Sequence, residues 1–351
     1  MRPCARTGIV AGMRLTIVPL DPADGPLVEG VQGLRVAAEA ADIPDFPPPC
    51  PYELRAELAR QRYGKRTERF VALVAGEVAG HLVIDLPLKD NLDNADLGLT
   101  VHPAHRRRGI GRALHAYAVD RVRAAGRKRI TGASVEALPG GPDRGVAGRA
   151  FGTAMGAKAA LDEVRRRLDV TTVDRPALAA MHSAARDRAG GYQVVTWCGR
   201  TPDRYLADVC YLDGRLLSDA PIGDLTLEPE VVDEARLRDR EELCEAARIR
   251  VYSTGAVHTG TGKLVALTAL GRSGSSPWHA FQWITLVDPE HRGHRLGALV
   301  KSENLRFAGE HEPELRMIDT WNAATNMFMI AINEAMGFRP VDSWVNWQQE
   351  V

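Results

Sequence analysis

Apolar residues recur along this chain at two spacings. Leu114, Ala118, Val122 and Ala125 fall at i, i+4, i+8 and i+11. That spacing makes one face of a helix over 110–125, with Gly126 as its C-cap. Before it, 70–75 and 80–86 read as the strands of a hairpin turning near Gly76 and Glu77. A short strand over 97–101 stops at Pro103. After the helix come a strand (129–135), a loop (Pro139 to Pro142), a short helix (147–155) ended by Gly156, and a closing strand (159–170). The second half repeats the order. Strands at 263–270 and 280–287 precede a helix at 296–308, a strand at 317–321, a helix at 326–336 and a last strand at 341–347. A helix over 176–189 and the break Ala189-Gly190-Gly191 lie between.

Two short segments carry the repeat. V-H-P-A-H-R-R-R-G-I-G runs from Val101 to Gly111, and V-D-P-E-H-R-G-H-R-L-G from Val287 to Gly297. They align without gaps. Each is followed by Ala-Met-Gly, at Ala154 to Gly156 and Ala335 to Gly337. Two matched landmarks in one order indicate a duplicated fold. The expected division is 13–175 and 190–351. Residues 1–12 are expected to be a disordered extension, with the first strand-like run at 15–20.

Composition allows this. The 351 residues accommodate two domains of about 150 residues each. Lys plus Arg and Asp plus Glu are 45 each, which argues against a general nucleic-acid binder. A nucleic-acid module would have to rest on the basic run from His105 to Arg112. The five cysteines (Cys4, Cys50, Cys198, Cys210, Cys244) are scattered without a C-x-x-C pair. This argues against a zinc site and suits a reducing cytoplasm. No apolar run approaches the ~18 residues of a membrane helix, and the N-terminus lacks a signal-peptide core.

The chemistry sits in R-x-x-G-x-G, Arg106 to Gly111, between a strand and a helix. Glycines let backbone approach a pyrophosphate closely. Free N–H groups and the dipole at a helix start favour an anion. Arg106, Arg107, Arg108 and Arg112 add positive charge. The G-x-G-x-x-G spacing of a dinucleotide fold is absent.

The whole string resembles the acyl-CoA pyrophosphate loop of GNAT (Gcn5-related N-acetyltransferase) proteins, V-x-P-x-x-[Q/R]-x-x-G-x-[G/A]. The fold this implies is α/β (α+β): two tandem GNAT folds, each a mixed, largely antiparallel sheet flanked by helices. The arrangement is similar to that of mycothiol synthase-like proteins. The resemblance implies that Leu99, Thr100 and Val101 pair with the pantetheine arm. It implies that Arg106, Arg107, Arg108, Gly109, Ile110, Gly111 and Arg112 hold the pyrophosphate. In the second copy the same roles fall to Leu286 and Val287, then to Arg292, Gly293, His294, Arg295, Leu296 and Gly297. Arg295 stands where the loop's first Gly is usual. Asn326 matches the Asn that bonds the pantetheine region, with Asn322 assigned beside it; the first copy has Gly145.

GNAT chemistry is direct acyl transfer to an amine. The amine must lose a proton to Glu, Asp, His or water. A strand splay supplies backbone N–H for the developing oxyanion. The Tyr that often protonates the thiolate is replaced by Gly152 and Asn333. Candidate catalytic residues are His258, Asp319 and Asn333, with His279 and Glu228 as further candidate bases. Gln282 and Thr285 alternate toward the acceptor, with Asp96 comparably placed in the first copy. His105 and His291 read as structural or phosphate-side groups. The tryptophans and Tyr205 of the second half read as packing, 234–245 as a solvated helix face, and 163–167 as an edge strand.

The reading is an N-acyltransferase using acetyl-CoA or another acyl-CoA as co-substrate, with no metal. It acts on an amine of a small molecule or peptide, with no nucleic acid or membrane partner. The C-terminal half is catalytic and the N-terminal half binds CoA structurally; a homodimer is left open. The alternative is a non-catalytic acyl-CoA-binding regulator or scaffold.

Overall fold

The computed structural model describes residues 6–10 and 12–351. The first half runs β1 (Arg6–Val10), β2 (Met13–Pro19), α1 (Gly25–Asp42), α2 (Pro51–Ala59), β3 (Lys65–Val74), β4 (Glu77–Pro87) and β5 (Asn94–Val101). It continues with α3 (Ile110–Ala124), β6 (Arg129–Ala137), α4 (Ala147–Ala154) and β7 (Lys158–Asp169). The second half runs α5 (Arg175–Arg188), β8 (Tyr192–Cys198), α6 (Leu206–Gly214), α7 (Leu216–Asp219) and α8 (Glu234–Ala246). Then come β9 (Arg250–His258), β10 (Leu264–Arg272), β11 (His279–Val287), α9 (Leu296–His311), β12 (Met317–Ala323), α10 (Met327–Met336) and β13 (Arg339–Glu350).

All strands join one sheet, in the order β1-β2-β3-β4-β5-β6-β13-β7-β12-β11-β10-β9-β8. Pairing is antiparallel except at β5/β6 and β11/β12. The sheet is thus mixed and largely antiparallel, with helices against it. The expected helix over 110–125 forms as α3, and Leu114, Ala118 and Val122 are buried on one face. They pack on Phe70, Leu82 and Ile84 of the sheet. Leu114 and Val122 each contribute about 1.5–3 kcal/mol by leaving water, and Ala118 less. In the second half Leu299 and Val300 of α9 pack on Ala256 and Ala266 in the same way.

Three expectations need correction. Part of the supposed disordered extension, Arg6–Val10, is an edge strand paired with β2; residues 1–5 and 11 lie outside the described residues. The strand expected to close the first half, β7, does not pair with β6. It lies between β12 and β13, and β13 from the chain's end pairs with β6. Each half therefore receives its last strand beside the other's sheet. For the same reason 163–167 is interior, and Arg165 has no exposed surface. Third, α8 is not only a solvated face, because its Asp239 is buried and accepts from Arg60 and Arg62 of the first half.

The junction is polar as well as aromatic. Arg165 and Arg167 alternate onto one face of β7, as period-two geometry requires. There Arg165 donates to Asp342 and Asp319, and Arg167 donates to Asp319. Asp45, on the loop after α1, accepts from both. Arg144 binds Asp342 and Asp45. The neighbouring Phe46 ring lies against His279, Phe281, Trp321 and Trp344, at centroid distances of 5.5–6.2 Å.

Candidate active site

The two repeated loops share one backbone conformation. After β5, a 3-10 turn at Pro103–His105 is capped by His102, whose ring accepts from the Ala104 N–H. After β11, a 3-10 turn at Pro289–His291 is capped by Asp288, which accepts from Glu290. Each loop then turns left-handed twice. The first does so at Arg107 (φ +62°) and Gly109 (φ +85°), the second at Gly293 (φ +86°) and Arg295 (φ +54°). The aligned positions exchange Gly for Arg while the conformation stays. Arg295 therefore does not abolish the loop; each copy tolerates one arginine in a region that costs about 1–2 kcal/mol. Both helices begin immediately afterwards, with their free N–H groups at the loop.

The arginines differ from expectation. Arg106 forks onto Asp42 at the end of α1, with both bonds 2.7 Å, and donates to the Val101 carbonyl. Its guanidinium ties the loop to α1 and is not free for a phosphate. Its counterpart Arg292 pairs at 3.3 Å with Asp219 and lines a cavity. Replacing Arg106 with Gln is expected to cost about 1 kcal/mol in urea unfolding, since the pair is partly exposed. Acetyl-CoA affinity should change less than threefold. A tenfold loss would return the guanidinium to the ligand.

That cavity, about 1100 Å³, occupies the second half. Strands β11 and β12 pair only through His279–Phe281 and Met317–Asp319, then diverge. The opening runs from Gln282 and Thr285 past Leu286 and Val287 to Arg292, Gly293, Arg295, Leu296 and Gly297. Asn322 and Asn326 line the facing wall, and Asn326 also caps α10 by accepting from Met329. His294 does not line it; its ring lies 5.2 Å from that of Tyr192. Beside the splay, a register shift between Ala269 and Leu270 leaves Trp283 without a partner on β10. A bulge of this kind takes backbone groups out of the ladder. Gln282 holds it by donating to Thr268, the Ala269 carbonyl and the Ile284 carbonyl.

The first half differs. Strands β5 and β6 also diverge after Asp96 and Thr131, but β4 and β5 pair through 80–85 and 96–101 with no shift of register. A cavity there is smaller, about 420 Å³, and is lined by Asp85, Asp96, Gly98 and Thr131. None of Leu99, Thr100, Val101, Arg107, Arg108, Gly109, Ile110, Gly111 or Arg112 lines it. The segment between α7 and α8 separates the two spaces. Leu225 and Leu227 wall both cavities, while Thr226 and Glu228 bond Asn94 and Asn91 of the first half. Sequence periodicity gives no sign of this segment, because it has no regular element.

The catalytic candidates do not converge. His258 sits at the β9–β10 turn, bonded to Thr261, with its ring 5.0 Å from that of His291. It lies beside the turn that leads into α9 and not at the splay. Asp319 is fully buried and accepts from Arg165, Arg167 and His279. Burial alone would raise its pKa, but the bonds from Arg167 and His279 win and hold it well below the usual carboxylate range. It is therefore committed structurally and unavailable as a base. Burial pushes His279 down, and its bond to Asp319 sets the Nε2–H tautomer. Asn333 is fully buried behind Asn322, to which it donates at 2.6 Å. In the first half a Cβ on Gly152 would lie 3.1 Å from the Trp347 ring, so β13 fills the space a tyrosine would need. Glu228 lines neither cavity.

Groups of His, Cys, Asp and Glu able to hold a metal do not occur among the described residues. No helix among them is long and apolar enough to cross a membrane.

The sequence model of the Acetyltransferase (GNAT) family matches residues 36–138. The tandem GNAT protein from the clavulanic acid biosynthesis pathway is similar over 96% of this chain and 98% of that one, at 36% identity and a TM-score of 0.83. A GCN5-related N-acetyltransferase from Sphaerobacter thermophilus is 14% identical, with 96% and 95% covered and a TM-score of 0.63. A putative acetyltransferase from Pyrococcus horikoshii is 16% identical, with 96% and 89% covered and a TM-score of 0.51. The latter two speak to the fold alone. No curated protein sequence matches.

Proposed function

The chain belongs to the GNAT family as a tandem protein, and from that premise we propose that it transfers an acyl group from acetyl-CoA, or another acyl-CoA, to an amine of a small molecule or peptide. The reacting half is the C-terminal one. The observation that carries this is the joint occurrence there of anion loop, strand splay, bulge and a cavity of about 1100 Å³. The N–H groups opening α9 face the pyrophosphate, with Arg292 and Arg295 adding charge. The arm follows Val287 back to Gln282, and the bulge offers N–H to the developing oxyanion. In the first half, residues 99–101 and 107–112 keep the loop for a structural CoA, with Arg106 holding that loop to α1. We retain 13–175 and 190–351 as the two units, with their last strands exchanged. The unpaired Cys50, Cys198, Cys210 and Cys244 suit a cytoplasmic setting.

The second reading, a non-catalytic acyl-CoA-binding regulator, draws on Gly152 and Asn333 standing where a tyrosine acid is usual. Calorimetric titration with acetyl-CoA, followed by thiol-detected CoA release across a panel of amines, separates the two. Binding with amine-dependent release is expected. Binding without release for any amine favours the regulator, and absence of binding overturns both.

A further inference from the structure

Lys301 lies on α9 one turn after Gly297, on the face turned toward the donor cavity. A Cβ on Gly297 would meet Ile332 of α10 and Val287 of β11, so this face looks into the gap between those elements. The lysine is 1% exposed, yet it lines the cavity. Its Nζ lies 5.4 Å from the centre of the Phe338 ring. Among the described residues no carboxylate pairs with it and no acceptor bonds it, burial being the only influence on its charge. The charged and titratable groups on the surrounding elements are engaged elsewhere. Tyr252 of β9 donates to Glu312, which also takes Arg272 of β10. His182 of α5 bonds Ser302, Glu334 of α10 acts on Arg166 of β7, and His279 of β11 bonds Asp319 of β12. A buried amine without a counter-charge is costly unless it meets a ligand.

We propose that Lys301 is a catalytic residue of this half, the group that protonates the thiolate leaving acyl-CoA. The proposal rests on acyl transfer occurring in this cavity. The aligned position next to Asn322 offers only the Asn333 amide, which has no acidic proton to give. In the first half the position of Lys301 is taken by His115, another titratable nitrogen, bonded to Gln349. In the step, the amine nitrogen bonds to the thioester carbonyl carbon and the C–S bond breaks with its electron pair on sulfur. The Lys301 ammonium gives its proton to that sulfur, forming CoA thiol. The new amide nitrogen loses a proton to solvent, and Lys301 regains one from solvent. Burial lowers the lysine to about 7, so the proton passes downhill to a thiolate whose thiol ionises near ~8.5.

The first test needs no acceptor and no variant. The thiol of CoA bound to the wild-type chain is titrated by the ultraviolet absorbance of its thiolate and compared with free CoA. Because the two groups share a proton, a minor fraction of the thiolate should appear as the lysine titrates at about 7, shifted below the ionisation of free CoA, with the rest following near the free value. In Lys301→Met, which keeps the length and apolar stem, the shift should vanish while CoA affinity stays within a few-fold. With a reactive amine, kcat should fall about 100-fold in the variant. The wild-type kcat should decline as pH rises through the lysine's pKa, because the donor is the ammonium form. A bound thiol ionising like free CoA, or a variant with unchanged kcat, overturns the lysine assignment and leaves acyl transfer standing. A shifted bound thiol with no turnover of any amine supports the contact and sinks the acyl-transfer reading. Failure to bind CoA overturns both.

Discussion

Gly297→Glu is expected to abolish acyl-CoA turnover, while Gly111→Glu leaves it within a few-fold. At Gly297 a Cβ makes an ordinary 3.4 Å contact with Ile332, so the residue itself can be accommodated. Its carboxylate would then stand at the N-terminus of α9, in the cavity, where the pyrophosphate is proposed to bind. Two like charges about 4 Å apart repel by about 4 kcal/mol at an effective dielectric of 20. That is roughly a thousandfold in affinity. Gly297→Ala, with the same Cβ and no charge, controls for shape and should bind nearly as the wild type does. At Gly111 the Cβ would lie 3.1 Å from the Phe151 ring, so Gly111→Glu strains the first half. Acetyl-CoA titration and CoA release measured on all three variants decide the assignment. If only Gly111→Glu abolishes turnover, the reacting half is the N-terminal one.

Asp342→Ala is expected to lose about 3–5 kcal/mol of stability, read as a fall of roughly 10 °C in Tm. Asp342 has no exposed side-chain surface, and it accepts from Arg144 and Arg165, themselves 1% and 0% exposed. It also accepts from the Trp344 ring N–H. Removing it leaves two buried guanidinium groups short of a counter-charge, at the contact between the chain's last strand and the first half. A change below about 1 kcal/mol would show that water or Asp45 compensates.

The same cluster gives the pH dependence a sign. Asp319 and Asp45 are held below their ordinary values by the arginines, despite burial acting the other way. A carboxylate depressed in the folded state stabilises above its unfolded pKa of about 3.9. That contribution is lost as pH falls through the lower folded value. Acid unfolding should therefore begin below about pH 4. In Arg167→Met, Asp319 loses one of its guanidinium partners, and unfolding should move to higher pH.

Much of the fold was legible because its signals are local. The spacing of Leu114, Ala118 and Val122 specifies a buried helix face whatever the sheet order is. The loops at 101–111 and 287–297 declare a duplicated motif through residue type alone. The same local reading put Arg106 on the ligand, because a guanidinium's partner does not appear in its own segment. Asp42 is remote in sequence, and only folding brings it to 2.7 Å. Asp319 read as a free carboxylate for the same reason. Its three partners come from β7 and β11, and their bonds turn a candidate base into a structural anion.

By itself, then, the sequence carried the resemblance to the family in its two loop motifs and determined the helices and strands around them, since those elements follow from short-range periodicity and turn chemistry. Tertiary structure alone decided which half opens a cavity of useful size, where β7 and β13 go, and that Lys301 is buried against it. A strand's partner is chosen by long-range backbone hydrogen bonds that any extended segment offers equally. A cavity is the space left when elements distant in sequence fail to touch, and no single stretch of residues encodes it.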